Sequence, residues 1–303
     1  MSLDADAIVD RRRLKRRLAL WRAVAVLSLT GALLFGIWQM GLATMGGEHI
    51  VQLDIAELLM DDPDRTAAVR RLAEDKMVQA LIVRIDSPGG TVVAAETLYH
   101  ALRHVASEKP VVAVIAGTGA SAGYLIALAA DYIFARESSV TGSIGVLIQT
   151  GEISELLSRL GISAEAIKSS ELKDQLSPLE PITPEARTAT QAVVNDIYRW
   201  FVDLVANRRG LSPAAALQLA DGRVFSGRQA AALELIDGLG GLPEARNWLM
   251  ENHGLGRDLP VHTLELRGHL SIPAQLLGFA RKTLFSEALR LDGLLSLWHP
   301  NSR

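Results

Sequence analysis

Pro110-Val-Val-Ala-Val-Ile-Ala-Gly117-Thr-Gly-Ala-Ser121-Ala-Gly-Tyr-Leu-Ile-Ala-Leu-Ala-Ala130 is an apolar run, a glycine-rich corner and an alanine-rich run in direct succession. Val111 to Ala116 have the length and β-branching of a buried strand, and Tyr124 to Ala130 suit a helix. Ser121 therefore falls on a strand-to-helix corner, where a hydroxyl can stand clear of the backbone beside free helix amides. An acyl-transfer nucleophile would be useful there, although a plain helix N-cap draws on the same residue type. The spacing Gly119-x-Ser121-x-Gly123 matches a nucleophile elbow, a pattern that also arises by chance.

On either side of this corner, strand-like and helix-like segments alternate. Ile50 to Ile55 read as a strand, Asp64 to Lys76 as a charged surface helix, and Ala80 to Ile85 as a second strand that ends in the turn-like Asp86-Ser-Pro-Gly-Gly90. A helix is predicted from Thr91 to about Ser107, a short strand over Tyr132 to Ala135, and an extended edge over Thr141 to Val146. Helices follow at Glu152–Leu160, Pro184–Arg209, Pro213–Leu219 and Pro243–Asn252, with a strand-turn-helix over Ala220–Ala230. This alternation predicts an α/β fold with a largely parallel sheet flanked by helices.

The chain has 303 residues, of which 49% are hydrophobic, enough for one substantial core. Its net charge of -3 offers no electrostatic footprint for nucleic acid. With no cysteine, thiol catalysis, disulfides and cysteine-based zinc sites are excluded. Arg11, Arg12, Arg13, Lys15, Arg16, Arg17 and Arg22 precede an uncharged run from Ala23 to Gly47, longer than the roughly 20 apolar residues that span a bilayer. The expectation is a cytoplasmic basic segment (1–22), a transmembrane anchor (23–45), and a catalytic domain (48–254) outside the cytoplasm, which makes a single-pass protein of the inner (plasma) membrane. A cleaved signal peptide competes with this, but its apolar core runs only about 7–15 residues. Residues 255–303 form a C-terminal extension. Leu277, Ala280, Leu284, Ala288, Leu291, Leu295 and Trp298 recur there at helical spacing, predicting a helix packed on the domain, on a neighbouring subunit or on a membrane surface.

A serine hydroxyl needs a base to take its proton. Among the seven histidines, His100 and His104 look like polar-face residues of a helix, and none follows Ser121 before His253. A triad of Ser121, Asp237 and His253 in α/β-hydrolase order can be written, without a His-Gly-Gly-Gly type oxyanion loop upstream. Lysine is the other partner known for a catalytic serine, provided burial keeps its amine uncharged. Lys173 lies in a polar loop, where a solvated lysine is the commoner outcome. The amides of Gly89, Gly90 and Ala122 are candidate oxyanion donors, the glycines because no side chain shields them.

Asp86-Ser-Pro-Gly-Gly90, Ala120-Ser-Ala-Gly-Tyr124, Thr141-Gly-Ser-Ile-Gly-Val146, Glu171-Leu-Lys-Asp174 and Asp221-Gly-Arg-Val-Phe-Ser-Gly-Arg-Gln-Ala230 resemble, in order and spacing, the signal peptide peptidase A family of membrane-anchored serine peptidases. The resemblance covers about residues 48 to 250. It implies a ClpP/crotonase-like fold and a Ser-Lys dyad with Ser121 as nucleophile, Lys173 as general base and Ser143 orienting the lysine amine. Short family members offer the lysine to the serine of an adjacent protomer in a homo-oligomeric ring. Peptide substrates would resemble remnant signal peptides, added as a strand beside Gly142, Ile144 and Gly145 and the Gly90 segment. Neither a cofactor nor a metal is implied. Ala122 departs from the family's frequent Ser-Gly-Gly, and the tail after about residue 255 matches no motif. Two further readings stay open: an esterase using Ser121, Asp237 and His253, and a non-catalytic crotonase-like scaffold, which loss of Ser121 or Lys173 would have marked.

Overall fold

The computed structural model describes residues 17, 20–35, 47–264 and 295–297. It divides into two units, Met1–Gly47 and Glu48–Arg303. In the first, residues 20–35 form helix α1, whose Trp21, Val24, Leu27, Leu29, Leu33 and Phe35 are all exposed. The rest of the predicted anchor, 36–45, lies outside the described residues. Among the described residues no helix is long and apolar enough to cross a membrane.

The second unit is built on β1 (His49–Leu59), β2 (Val78–Thr91) and β3 (Val111–Ala120), joined in parallel through α2 (Pro63–Arg71) and α3 (Val92–Ala106). Ala80–Val83 of β2 and Val111–Ile115 of β3 are apolar at every position because both faces of the sheet are covered there. Leu81, Val83 and Ile85 of β2, with Val111, Ala113 and Ile115 of β3, enter the main core, which also takes α4 (Ala122–Ala127) and Phe201 and Val205 of α6 (Pro184–Arg209). The alternate residues Ala80, Ile82, Val112 and Val114 meet Ala245 and Leu249 of α9 (Leu242–His253) on the opposite face. Each fully buried Leu, Ile or Val contributes about 1.5–3 kcal/mol, so these strands hold the sheet against small perturbations at its ends.

The sheet order is β6-β5-β3-β2-β1-β8. The outer edge of β3 is shared, with β4 (Tyr132–Ala135) beside Val112–Ile115 and β5 (Val140–Gly142) beside Thr118–Ala120. β6 (Val224–Ser226) pairs antiparallel with β5, β7 (Gly238–Leu239) extends β4, and β8 (Val261–Thr263) lies outside β1. The remaining helices are α5 (Ser154–Arg159), α7 (Pro213–Leu219) and α8 (Gly227–Ala232). The α/β, largely parallel expectation is met.

Several boundaries differ from expectation. The α2 helix ends at Arg71 rather than Lys76, and β5 stops at Gly142 rather than running to Val146. Ser87-Pro-Gly-Gly90 is not a turn but the last stretch of β2. A Cβ on Gly90 would lie 2.0 Å from the Leu59 carbonyl oxygen, so glycine serves here to keep β1 and β2 in register at close approach. Likewise Gly117-Thr-Gly-Ala120 continues β3, because β5 arrives to pair with it. Leu295–Leu297, read as part of a helix, is a strand, β9, paired antiparallel with β2; the neighbouring parts of that reading, 265–294 and 298–303, lie outside the described residues.

Candidate active site

Ser121 is where β3 ends and α4 begins. Its backbone is at φ 56° and ψ -118°, a conformation that costs a non-glycine residue about 1–3 kcal/mol and persists only where its surroundings impose it. They do. Its N–H donates to the Gly142 carbonyl at 2.8 Å, and its own carbonyl accepts from Leu125 N–H at 2.9 Å. Gly123 must be glycine for packing, since a Cβ there would meet the Ser87 carbonyl at 2.9 Å. Directly behind the corner, Tyr124 donates its hydroxyl to the Leu235 carbonyl at 2.7 Å, and burial pushes its ionisation well above the ordinary tyrosine range.

The serine is 1% exposed, its side chain makes no capping bond, and among the described residues its Oγ has no hydrogen-bond partner. A buried hydroxyl left unpaired costs about 1–3 kcal/mol, so the plain N-cap reading does not account for it. The residues around it hold further strain. Positive φ also occurs at Ser143, directly after β5, and at Glu57, whose carbonyl accepts from Ser87 Oγ.

Thr141 and Gly142 are brought to the corner by β5. Thr141 Oγ1 donates to the Gly119 carbonyl at 2.7 Å, and Gly142, at φ 80°, has no room for a Cβ beside Phe225. Ser143 follows at φ 50°, nearly buried, with its N–H on the Arg223 carbonyl at 2.8 Å. Ile144 is buried in the main core, so its side chain does not line the groove, while Gly145 lies against Gly222. On the far side, Ser87 Oγ donates to the Glu57 carbonyl at 2.6 Å and accepts the Gly89 N–H at 3.3 Å. Ala122 opens α4, where an N–H has no acceptor within its own helix. Sequence reasoning missed Ser87 and Thr141 as positioning residues; their only signal was adjacency to Gly-rich motifs.

Lys173 is not at this site within one chain. It sits exposed in a turn, its N–H on the Ser170 carbonyl at 3.0 Å, and its amine is not within hydrogen-bonding distance of Ser121 Oγ. Leu156 of α5, Leu160 at its end, and Ile162 and Leu172 of the loop that follows are exposed, and Ile167 is 100% exposed. Gln175 Oε1 and Thr190 Oγ1 in this region are buried without partners among the described residues.

The histidine alternative is not assembled. Arg209 holds the Asp237 carboxylate with two hydrogen bonds of 2.8 and 3.0 Å, and the Ile133 N–H adds a third at 2.8 Å. His253 is exposed at the end of α9 with its ring 4.9 Å from Trp248. Asp237 ties the β4 edge to α6, a structural duty.

A largely parallel α/β sheet ending in a strained, buried serine with no capping role fits the class of serine hydrolases. The sequence model of peptidase family S49 matches residues 103–256. A putative protease of Synechocystis sp. is 40% identical over 204 residues, covering 66% of this chain and 74% of that protein. A putative protease of Methanocaldococcus jannaschii is 38% identical over 169 residues (56% and 54%), and the putative signal peptide peptidase SppA of Enterococcus faecium 35% over 173 (57% and 50%). The chain thus spans about three quarters of the first relative and about half of the other two. It belongs to peptidase family S49 and is a serine peptidase.

Proposed function

We propose that this chain is a membrane-anchored endopeptidase in which Ser121 of one copy works with Lys173 of a neighbouring copy, on a ClpP/crotonase-like fold assembled as a ring. The observation that carries this reading is the mismatch between a finished serine corner, whose Oγ lacks a partner, and a lysine exposed on a loop rich in uncovered apolar side chains. Burying Leu156, Leu160, Ile162 and Ile167 against a second copy gives apolar surface a reason to associate, and the same contact would dehydrate the lysine amine.

The chemistry follows from the parts. Uncharged Lys173 Nζ takes the proton of Ser121 Oγ as Oγ attacks a peptide carbonyl. The amides of Ala122 and the Gly89–Gly90 segment stabilise the oxyanion, and Ser143 orients the amine. Collapse of the tetrahedral intermediate breaks the C–N bond, and the leaving amine receives the proton from Lys173. Water then attacks the acyl-enzyme, giving its proton to Lys173, and Ser121 Oγ leaves with that proton. The flanks of Gly142 and Gly145 and the Gly90 edge would hold an extended peptide by backbone pairing, which favours apolar, strand-forming substrates such as remnant signal peptides.

The apolar, exposed surface of α1 and the basic residues before it support an anchor in the inner (plasma) membrane with the N-terminus cytoplasmic. Mixing Ser121→Ala chains with Lys173→Ala chains tests the shared dyad. Peptide hydrolysis returns in mixed assemblies if the two residues meet between copies, and none returns if they meet within one.

A further inference from the structure

On the second face of the sheet, Ala245 and Leu249 of α9 meet Ile82, Val112, Val114 and Phe134. Trp248, its ring 5.0 Å from that of Tyr132, draws the helix toward β4. A helix with its side chains is about 10–12 Å across and strands lie about 4.8 Å apart, so α9 roofs about two strands. Toward β1 and β8 it leaves a trough, a cavity of about 520 Å³. The loop between α9 and β8 borders this cavity through Arg257. That loop is fixed in place by Leu255 and Leu259, which pack on the core, and by the Pro260 carbonyl, which accepts the Ile50 N–H at 2.9 Å.

The lining divides by chemistry. Ile82, Leu242, Met250 and Val261 supply apolar surface, while Gln52, Asn247, Arg246 and Arg257 supply the polar groups. Among the described residues no carboxylate lines the cavity. Asp54, two residues beyond Gln52 on the same face of β1, accepts from Gln52 Nε2 at 2.9 Å and lies 3.7 Å from Arg84. Arg246 gives one N–H to the Leu259 carbonyl at 3.2 Å, which anchors its guanidinium beside the loop. Neither Arg246 nor Arg257 has an ion pair among the described residues. Two guanidinium groups without a counter-charge, set on an apolar trough, match one anionic head carried by an apolar body. A peptide would bring an N–H and a C=O at each residue, to which Ile82, Leu242, Met250 and Val261 offer nothing. An alkyl chain needs no such partner.

We propose that the cavity between α9 and β8 binds a single-chain fatty acid, its carboxylate held by Arg246 and Arg257 and its alkyl chain laid on Ile82, Leu242, Met250 and Val261. The nucleophile helix α4 packs in the main core on the other face of the sheet, so this site is separate from Ser121 and does not rest on the peptidase reading.

The test irradiates the full chain, held in phosphatidylcholine nanodiscs, with a diazirine-bearing dodecanoic acid and maps the labelled peptides by mass spectrometry. Label should fall within residues 242–261. Free dodecanoate should compete with it, whereas dodecanol and dodecyltrimethylammonium should not. Arg257→Gln breaks no side-chain contact among the described residues, so its thermal melting should match that of the parent chain. Each of Arg246→Gln and Arg257→Gln removes a charged hydrogen bond to the head and should raise the half-maximal probe concentration about tenfold or more. Met250→Trp, which fills the trough and leaves both arginines, should suppress the label as well. Should Arg246→Gln impair folding, Arg257→Gln and the competition series still decide. Label scattered along the chain, label within 242–261 that dodecanol removes as well as dodecanoate does, or an unchanged half-maximal concentration in Arg257→Gln overturns the proposal. Competition by dodecyl phosphate without competition by dodecanoate overturns it too, since the head would then be a phosphate.

Discussion

The Ser121 corner and the Lys173 loop are opposites in construction. The corner is held by backbone bonds from β5, by glycines that let Leu59 O and Ser87 O approach, and by a buried tyrosine, and it leaves one hydroxyl without a partner. The loop has short turns, the Lys168–Glu180 ion pair at its margin and apolar side chains turned to solvent. A site half rigid and half unsupported is what an enzyme completed by association would look like. In the assembly proposed above, preorganisation would reside in the subunit for the nucleophile, and in the contact between subunits for the base.

The strongest attack on this comparison removes each half in turn. Ser121→Ala and Lys173→Ala should each lower kcat by about 10³-fold or more, because residues acting as one unit fail together. Thermal melting should separate them only slightly, since Lys173 is exposed and Ser121 makes no side-chain bond. A Lys173→Ala enzyme that keeps most of its activity would remove the lysine from the chemistry altogether.

A second pair contrasts the two regions in stability. Gly90→Ala forces β1 and β2 apart at Leu59 and should cost about 1–3 kcal/mol in denaturant unfolding. Ile167→Asp should leave the unfolding of the isolated chain within about 0.5 kcal/mol. Its effect belongs to assembly: sedimentation should show smaller species, and peptide hydrolysis should fall with them. If Ile167→Asp assembles and works normally, that part of the loop is not an interface.

Tyr124→Phe sharpens the corner's side alone. It strips the Leu235 carbonyl of its donor inside the core, at a cost of about 1–3 kcal/mol, with the loss appearing in stability before activity. The smallest effect is expected at Glu244, whose carboxylate accepts the Gly241 N–H at 2.7 Å and is thereby held below the usual glutamate range. A depressed folded value adds stability above the unfolded value near 4.5 and loses it as pH falls through the depressed one. Glu244→Gln should flatten that part of the acid unfolding curve slightly.

How far the sequence carries depends on the kind of interaction involved. The start of the strand at Val111, the helices Pro184–Arg209 and Pro213–Leu219, and β4 at Tyr132–Ala135 were legible to the residue, because β-branching, capping serines and threonines, Pro at the first turn and Gly210 are local signals. The glycine-rich ends of β2 and β3 were misread as turns, because their strand character comes from partners that arrive from far along the chain. Ser121 itself was legible from its neighbours, as were the glycines flanking it.

Residue types and their order were enough to establish an α/β chain with a serine at a strand-to-helix corner and a lysine motif downstream. They could not establish that the serine would be buried with its hydroxyl unpaired, that Arg209 would claim Asp237, or that the tail would lie along Gly89–Thr91. Those outcomes depend on which distant groups compete for the same donors and acceptors. Such a competition is resolved only when the whole sheet closes, and no local propensity encodes its result.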